Sequence, residues 1–88
     1  MRRELLDILA CPIDKYNKLE LYELSYSNEI DEGVLYCPQC SRFYPIINSI
    51  PILLPDNLRN RNNELVFLKR WKDKLPEKII NKSKPWHI

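Results

Sequence analysis

The stretch Cys37-Pro38-Gln39-Cys40 constrains this chain more than any other. A Cys-x-x-Cys turn brings two soft donors within reach of one ion, and here it runs into an apolar segment, Phe43 to Leu54, punctuated by Pro45 and Pro51. An upstream frame, Cys11-Pro12-Ile13-Asp14, repeats the Cys-Pro start and ends on a carboxylate. Structural zinc is ordinarily held by four ligands, two from each of two such turns. The frames therefore read as halves of one metal-binding fold, with Cys11, Asp14, Cys37 and Cys40 as candidate ligands. A carboxylate oxygen is a harder ligand than a thiolate, so a Cys3Asp set binds zinc less tightly than four cysteines. His87, the one histidine, is the alternative fourth ligand if the C-terminus folds back. A disulfide and a set of reduced, empty thiols remain the two metal-free readings. A thioredoxin-type redox site is disfavoured, because the Cys-x-x-Cys lies between strands rather than in a βαβ unit.

Eighty-eight residues make one domain whose core alone is marginal, so a metal or a partner subunit commonly completes the stability. The chain has one glycine, Gly33. Phosphate loops and dinucleotide turns need several glycines at fixed spacing, which argues against a self-sufficient nucleotide- or S-adenosylmethionine-binding fold. The apolar run after Met1-Arg2-Arg3-Glu4 is broken by Asp7 and stops at Cys11-Pro12, too short for a signal peptide or a membrane span. Three cysteines, an odd number, suit metal or free thiols in a reducing compartment, and the expected location is the cytoplasm. Charge is unevenly spread. Residues 1–55 hold five Lys/Arg and eight Asp/Glu, whereas residues 56–88 hold nine and four, a local charge of +5. The bland reading is a solvated helix face and a loose basic end; the other is an RNA contact through the basic C-terminal region.

Along the chain, Arg3 to Ala10 reads as a short helix with Leu5, Leu6, Ile8 and Leu9 at helical spacing, stopped by Pro12. Lys18 to Tyr26 reads as a strand whose alternation slips by one residue, implying a bulge or two covered faces. Ser27 to Gly33 reads as the loop, with Gly33 as a left-handed turn residue, and Val34 to Cys37 as the returning strand. Phe43–Ile47 and Ile50–Leu54 form two strands around an Asn48-Ser49 turn, with both prolines at edge positions or strand starts. Glu64 to Leu75 reads as a second amphipathic helix, capped by Asn62 or Asn63 and ended by Pro76. The expected architecture is α+β: a small zinc-ribbon-like domain over residues 1–76, with a short antiparallel sheet of three to four strands and an N-terminal and a C-terminal helix. Residues 77–88 are expected to be a loosely held basic tail.

Leu5-Leu6-Asp7-Ile8-Leu9-Ala10-Cys11-Pro12, Leu35-Tyr36-Cys37-Pro38-Gln39-Cys40, Tyr44-Pro45-Ile46 and Ile50-Pro51-Ile52-Leu53-Leu54 together resemble the tRNA-methyltransferase activator subunit family and its short bacterial relatives. The resemblance covers residues 2–55 well and the second helix loosely. It implies a small zinc-binding platform without catalysis of its own, which heterodimerises with class I S-adenosylmethionine-dependent methyltransferases acting on tRNA, ribosomal RNA or a translation release factor. By the same resemblance, Ile46, Ile47, Ile50, Pro51 and Ile52 supply an edge-strand contact with the enzyme, and Leu5 and Leu9 flank it. Strand addition of this kind draws affinity from backbone hydrogen bonds and specificity from alternate side chains. Two positions depart from the family pattern: Asp14 stands where the family has a second cysteine, and Ser49 stands where it has glycine before Ile-Pro.

Two other functions compete with this one. A nucleic-acid-binding zinc ribbon would draw on Arg42, the basic second helix and Trp71 or Trp86, but the acidic residues Asp7, Asp14 and Glu20 lie near the knuckles in sequence. An enzyme is disfavoured by the want of a catalytic set, with one terminal histidine and no triad; a zinc hydrolase would need water in place of Asp14 and a nearby base.

Overall fold

Two hydrophobic faces of one small sheet organise the molecule. The computed structural model describes all 88 residues. The strands are β1 (Glu20–Tyr26), β2 (Ile30–Tyr36), β3 (Phe43–Ile47) and β4 (Ile50–Pro51), arranged in the order β1-β2-β3-β4 with every neighbour antiparallel. The helices are α1 (Arg61–Trp71) and α2 (Glu77–Lys82), with 3₁₀ segments at Arg3–Ile8, Asp56–Leu58 and Lys72–Lys74.

The period of two divides the sheet's side chains between its faces. Leu35 pairs with Tyr44 on one face, and Tyr36 with Phe43 on the other. The first face packs Ile30, Leu35, Cys37, Tyr44 and Ile46 against Met1, Cys11 and Leu19 from the N-terminal segment. The second packs Val34, Tyr36 and Phe43 against Phe67, Leu68, Leu75 and Ile79 from the C-terminal helices. The phase slip in β1 is real: Leu21 joins the first face and Tyr22 and Leu24 the second, and the register shifts between Glu23 and Ser25.

Several expectations are corrected. The first helix is 3₁₀, and its C-cap Leu9 is already extended. Three residues per turn place Leu5 and Ile8 on one ridge of the 3₁₀ segment. Leu6 and Leu9 pack on the core, while Leu5 and Ile8 are exposed, Ile8 at 77%. Gly33 is no turn residue. It lies inside β2 without a positive φ, and a Cβ there would stand 2.7 Å from the Tyr22 carbonyl oxygen. Its lack of a side chain permits the close approach of β1 at the bulge. The positive φ values fall instead on Asn48 (51°) and Ser49 (69°), which form the β3–β4 turn although a Cβ disfavours that region for serine. Asp31 stabilises that turn: its carboxylate accepts the Ser49 hydroxyl at 3.1 Å, and its carbonyl accepts the Ser49 N–H at 2.9 Å. Pro45 lies in an interior strand. Its carbonyl accepts the Ile52 N–H at 2.9 Å, so its missing donor faces the short β4, where an acceptor suffices.

The C-terminal third is docked onto the sheet. Asn60, not Asn62 or Asn63, caps α1, accepting the Asn63 N–H at 3.0 Å. The last dozen residues are not loosely held: Ile79 and Ser83 are buried, and Lys84 pairs with the start of β3, its carbonyl accepting the Phe43 N–H at 3.1 Å. Arg59 locks this layer in place. Its buried guanidinium donates to Glu64 Oε1 at 2.6 Å and to the Phe43 carbonyl at 2.7 Å, and sits against the rings of Phe43, Tyr44 and Trp86.

Candidate functional site

Both cysteine frames fold into the same local structure. In the first, the Lys15 N–H donates to the Cys11 carbonyl at 2.8 Å and the Cys11 N–H to the Tyr16 carbonyl at 2.9 Å. In the second, the Ser41 N–H donates to the Cys37 carbonyl at 2.8 Å and the Cys37 N–H to the Arg42 carbonyl at 2.8 Å. Lys15 and Ser41, at the equivalent fifth position, both take a left-handed φ, 62° and 64°. Asp14 and Cys40 are thus equivalent positions of two knuckles with the same hydrogen-bond pattern. One knuckle follows the N-terminal 3₁₀ segment, and the other is the β2–β3 turn.

The knuckles converge. The donor atoms of Cys11, Asp14, Cys37 and Cys40 all lie within 4.8 Å of one another. Cys11 Sγ and Cys40 Sγ are 3.7 Å apart, and the Cys37 thiol lies 3.5 Å from Asp14 Oδ2. Tetrahedral donors about 2.3 Å from one zinc stand roughly 3.8 Å from each other, so the donor set has the size a zinc ion requires. The cysteines are free thiols, and 3.7 Å is far from the roughly 2.05 Å of a disulfide. His87 is outside the cluster; its Nδ1 lies 3.1 Å from the Ser83 carbonyl oxygen.

Burial and hydrogen bonding set the chemistry of these groups. Cys11 and Cys37 are buried, Cys40 is half-buried, and Asp14 closes the exposed side. The Tyr16 N–H, 3.0 Å from Asp14 Oδ1, orients that carboxylate and holds it below its ordinary pKa. Burial pushes the Cys37 thiol up to about 12, so it is a thiol at neutral pH unless a cation stabilises the thiolate. The sequence reading missed two supports of this site. Tyr44 Oη lies 3.0 Å from Cys11 Sγ in the core, and its own pKa is raised, first by burial. Arg42, next to the second knuckle, is engaged by Asp56 at 2.9 Å, which with Cys40 holds its charge. The sequence signals for Tyr44 were its place two residues before Ile46 on the inward face and its part in the Tyr44-Pro45-Ile46 motif.

The residues expected at a partner contact are not equally available. Ile46 is fully buried and Leu9 packs inward. Ile50 is 60% exposed at the edge strand β4, with Ile47, Pro51 and Ile52 half-exposed beside it. The Met1 α-amino group donates to the Ser49 carbonyl at 2.7 Å, which ties the start of the Leu5–Ile8 ridge to the β3–β4 turn.

Comparison with known proteins adds three findings. The profile of the Trm112p-like protein family matches residues 2–49. UPF0434 proteins of Coxiella burnetii strains CbuG_Q212 and CbuK_Q154 are each 46% identical over 59 residues, 67% of this chain and 91% of theirs. A chain of the solved complex between the Haloferax volcanii Trm112 methyltransferase activator and a protein assigned as a methyltransferase matches at a TM-score of 0.62 and 40% identity, over 67% of this chain and 100% of that one. The family match stops at residue 49, before α1 begins.

Proposed function

The chain belongs to the Trm112p-like family, and from that premise we propose that it is a non-catalytic activator and stabiliser subunit. Its partners are class I S-adenosylmethionine-dependent methyltransferases acting on tRNA, ribosomal RNA or a translation release factor. The observation that carries this reading is the 40% identity over the whole of a chain from an activator–methyltransferase complex. The surface supports it. An apolar edge strand is an aggregation hazard in a free protein and a ready template for another sheet. Here β4 is the sheet edge and Ile50 projects from it exposed. The contact set is Ile47, Ile50, Pro51 and Ile52, flanked by Leu5 and Ile8; buried Ile46 and inward Leu9 support it from behind. A cytoplasmic location belongs to the same reading.

Zinc held by Cys11, Asp14, Cys37 and Cys40 completes the proposal. A bound zinc supplies structural cross-linking: it neutralises the thiolates and ties the two knuckles together. Tyr44 and the Tyr16 N–H then orient Cys11 and Asp14. Nothing in this arrangement calls for catalysis, since all four donors point at one another.

Co-expression with a class I methyltransferase from the same genome tests the proposal. The expected result is a stoichiometric complex with higher soluble yield and activity of the enzyme, and loss of both with Ile50→Lys. Unchanged solubility and activity of the enzyme, with no complex across the set of such enzymes, would overturn it.

A further inference from the structure

We infer that the C-terminal third, α1 through Lys84, is a phosphate-backbone contact face for RNA. Its ion pairing is the starting point. Three cations of residues 56–88 are spent, Arg59 on Glu64, Arg70 on Glu32 and Lys78 on Glu20, while Asp56 is taken by Arg42 from the second knuckle. Arg61, Lys69, Lys72, Lys74, Lys82 and Lys84 are exposed and make no ion pair. Opposing them on this layer are only Asp73 and Glu77 as carboxylates without a cation.

The arrangement suits a polyanion of regular charge spacing. Lys69 lies on the outward side of α1, opposite the buried Phe67 and Leu68, and the chain continues directly into the Lys72–Lys74 turn. A shallow groove of about 250 Å³ between that turn and α2 brings Lys72 and Asn81 to one opening. Asp73 and Glu77 also line the groove, which gives it two carboxylates to one lysine, so the phosphates are assigned to the exposed lysines outside it rather than to the groove itself. A single small anion would need converging donors, which dispersed lysines do not provide. A membrane is disfavoured because the apolar stripe of α1 is already used on the sheet and cannot enter lipid. Residues 1–55, at five Lys/Arg to eight Asp/Glu, repel the same polyanion and direct it to this face.

The inference deepens the activator reading and rests on it only for which RNA is met, since this face would then extend a partner's RNA surface. The contact itself is tested without any methyltransferase. Fluorescence anisotropy of labelled, unfractionated tRNA is titrated with the full chain from 50 to 200 mM salt. The comparison is a K69A/K72A/K74A/K82A variant whose thermal melt verifies folding. Six phosphate contacts predict an affinity loss of roughly 1,000-fold across that range, and two remaining contacts roughly 10-fold. The supporting result is steep salt dependence in the native chain and a shallow slope in the variant. Absence of tRNA binding at 50 mM salt, an unchanged slope in the folded variant, or binding to phosphatidylserine vesicles without binding to tRNA would each overturn it. Each of these outcomes leaves the methyltransferase co-expression result standing or falling separately.

Discussion

Tyr44 is where the sheet meets the candidate metal centre. Its hydroxyl is 3.0 Å from Cys11 Sγ, with both groups buried. A phenol donating to a thiolate stabilises its negative charge and fixes its direction, the role outer partners commonly play at metal sites. Tyr44→Phe is therefore expected to lower zinc affinity by roughly 10- to 100-fold with the fold retained, read by competition against a chromophoric chelator. Unchanged affinity would reduce the contact to packing. Residue-level chemistry of this kind was half legible. Cys11, Asp14, Cys37 and Cys40 announced themselves by spacing, because knuckles are local. Tyr44 did not, because an inward tyrosine at period two looks like core until its hydroxyl is placed.

At the scale of elements, Arg59 joins pieces from three parts of the chain. It precedes α1, pairs with Glu64 in the first turn of α1, donates to the β3 carbonyl of Phe43, and stacks on Trp86 beyond α2. The pair is nearly dry, with side-chain exposures of 0% and 6%. Removing one member of such a pair strands the other's charge in the core, at a cost of about 3–5 kcal/mol. Arg59→Ala should therefore shift the urea midpoint strongly, whereas Arg59→Leu with Glu64→Leu should recover much of the loss. A stability loss of under about 1 kcal/mol for Arg59→Ala would show that the C-terminal layer docks by its apolar side chains alone. The N-terminal segment makes the complementary point. Its apolar residues promised a helix, but the 3₁₀ form decided which of them faces outward, exchanging Leu9 for Ile8 on the exposed ridge.

For the whole molecule, charge pairing across the layers sets the response to acid. Asp56 accepts two hydrogen bonds from the Arg42 guanidinium, and this holds its carboxyl below the ordinary range. A depressed folded pKa contributes stability that is present above the unfolded value, about 4, and is lost as pH falls through the lower folded value. Glu20, held down first by Lys78, acts in the same direction. Metal-free protein should thus hold its stability above about pH 5 and lose it progressively below about pH 4. Asp56→Asn should flatten part of that fall. Asp56 is 36% exposed, so its share is below about 1 kcal/mol after solvent screening. Urea midpoints of the two proteins from pH 7 to pH 2.5 check this; parallel curves would show that the pair is inert.

What the sequence determined by itself is whatever rests on short-range spacing. The two knuckles, the strand alternation with its slip in β1, the absence of a nucleotide-binding loop and the basic C-terminal third all depend on residues within a few positions of each other. The tertiary structure decided what depends on distant segments meeting. The sheet placed Gly33 against the backbone of β1, and the Asp31 contacts gave Ser49 its left-handed turn. The second face of the sheet drew residues 77–84 into a docked layer, because Val34, Tyr36 and Phe43 left an apolar surface that Ile79 covers together with Phe67, Leu68 and Leu75. Local spacing is written in neighbouring residues. Which faces are left to be covered, and by what, is written only in the packing.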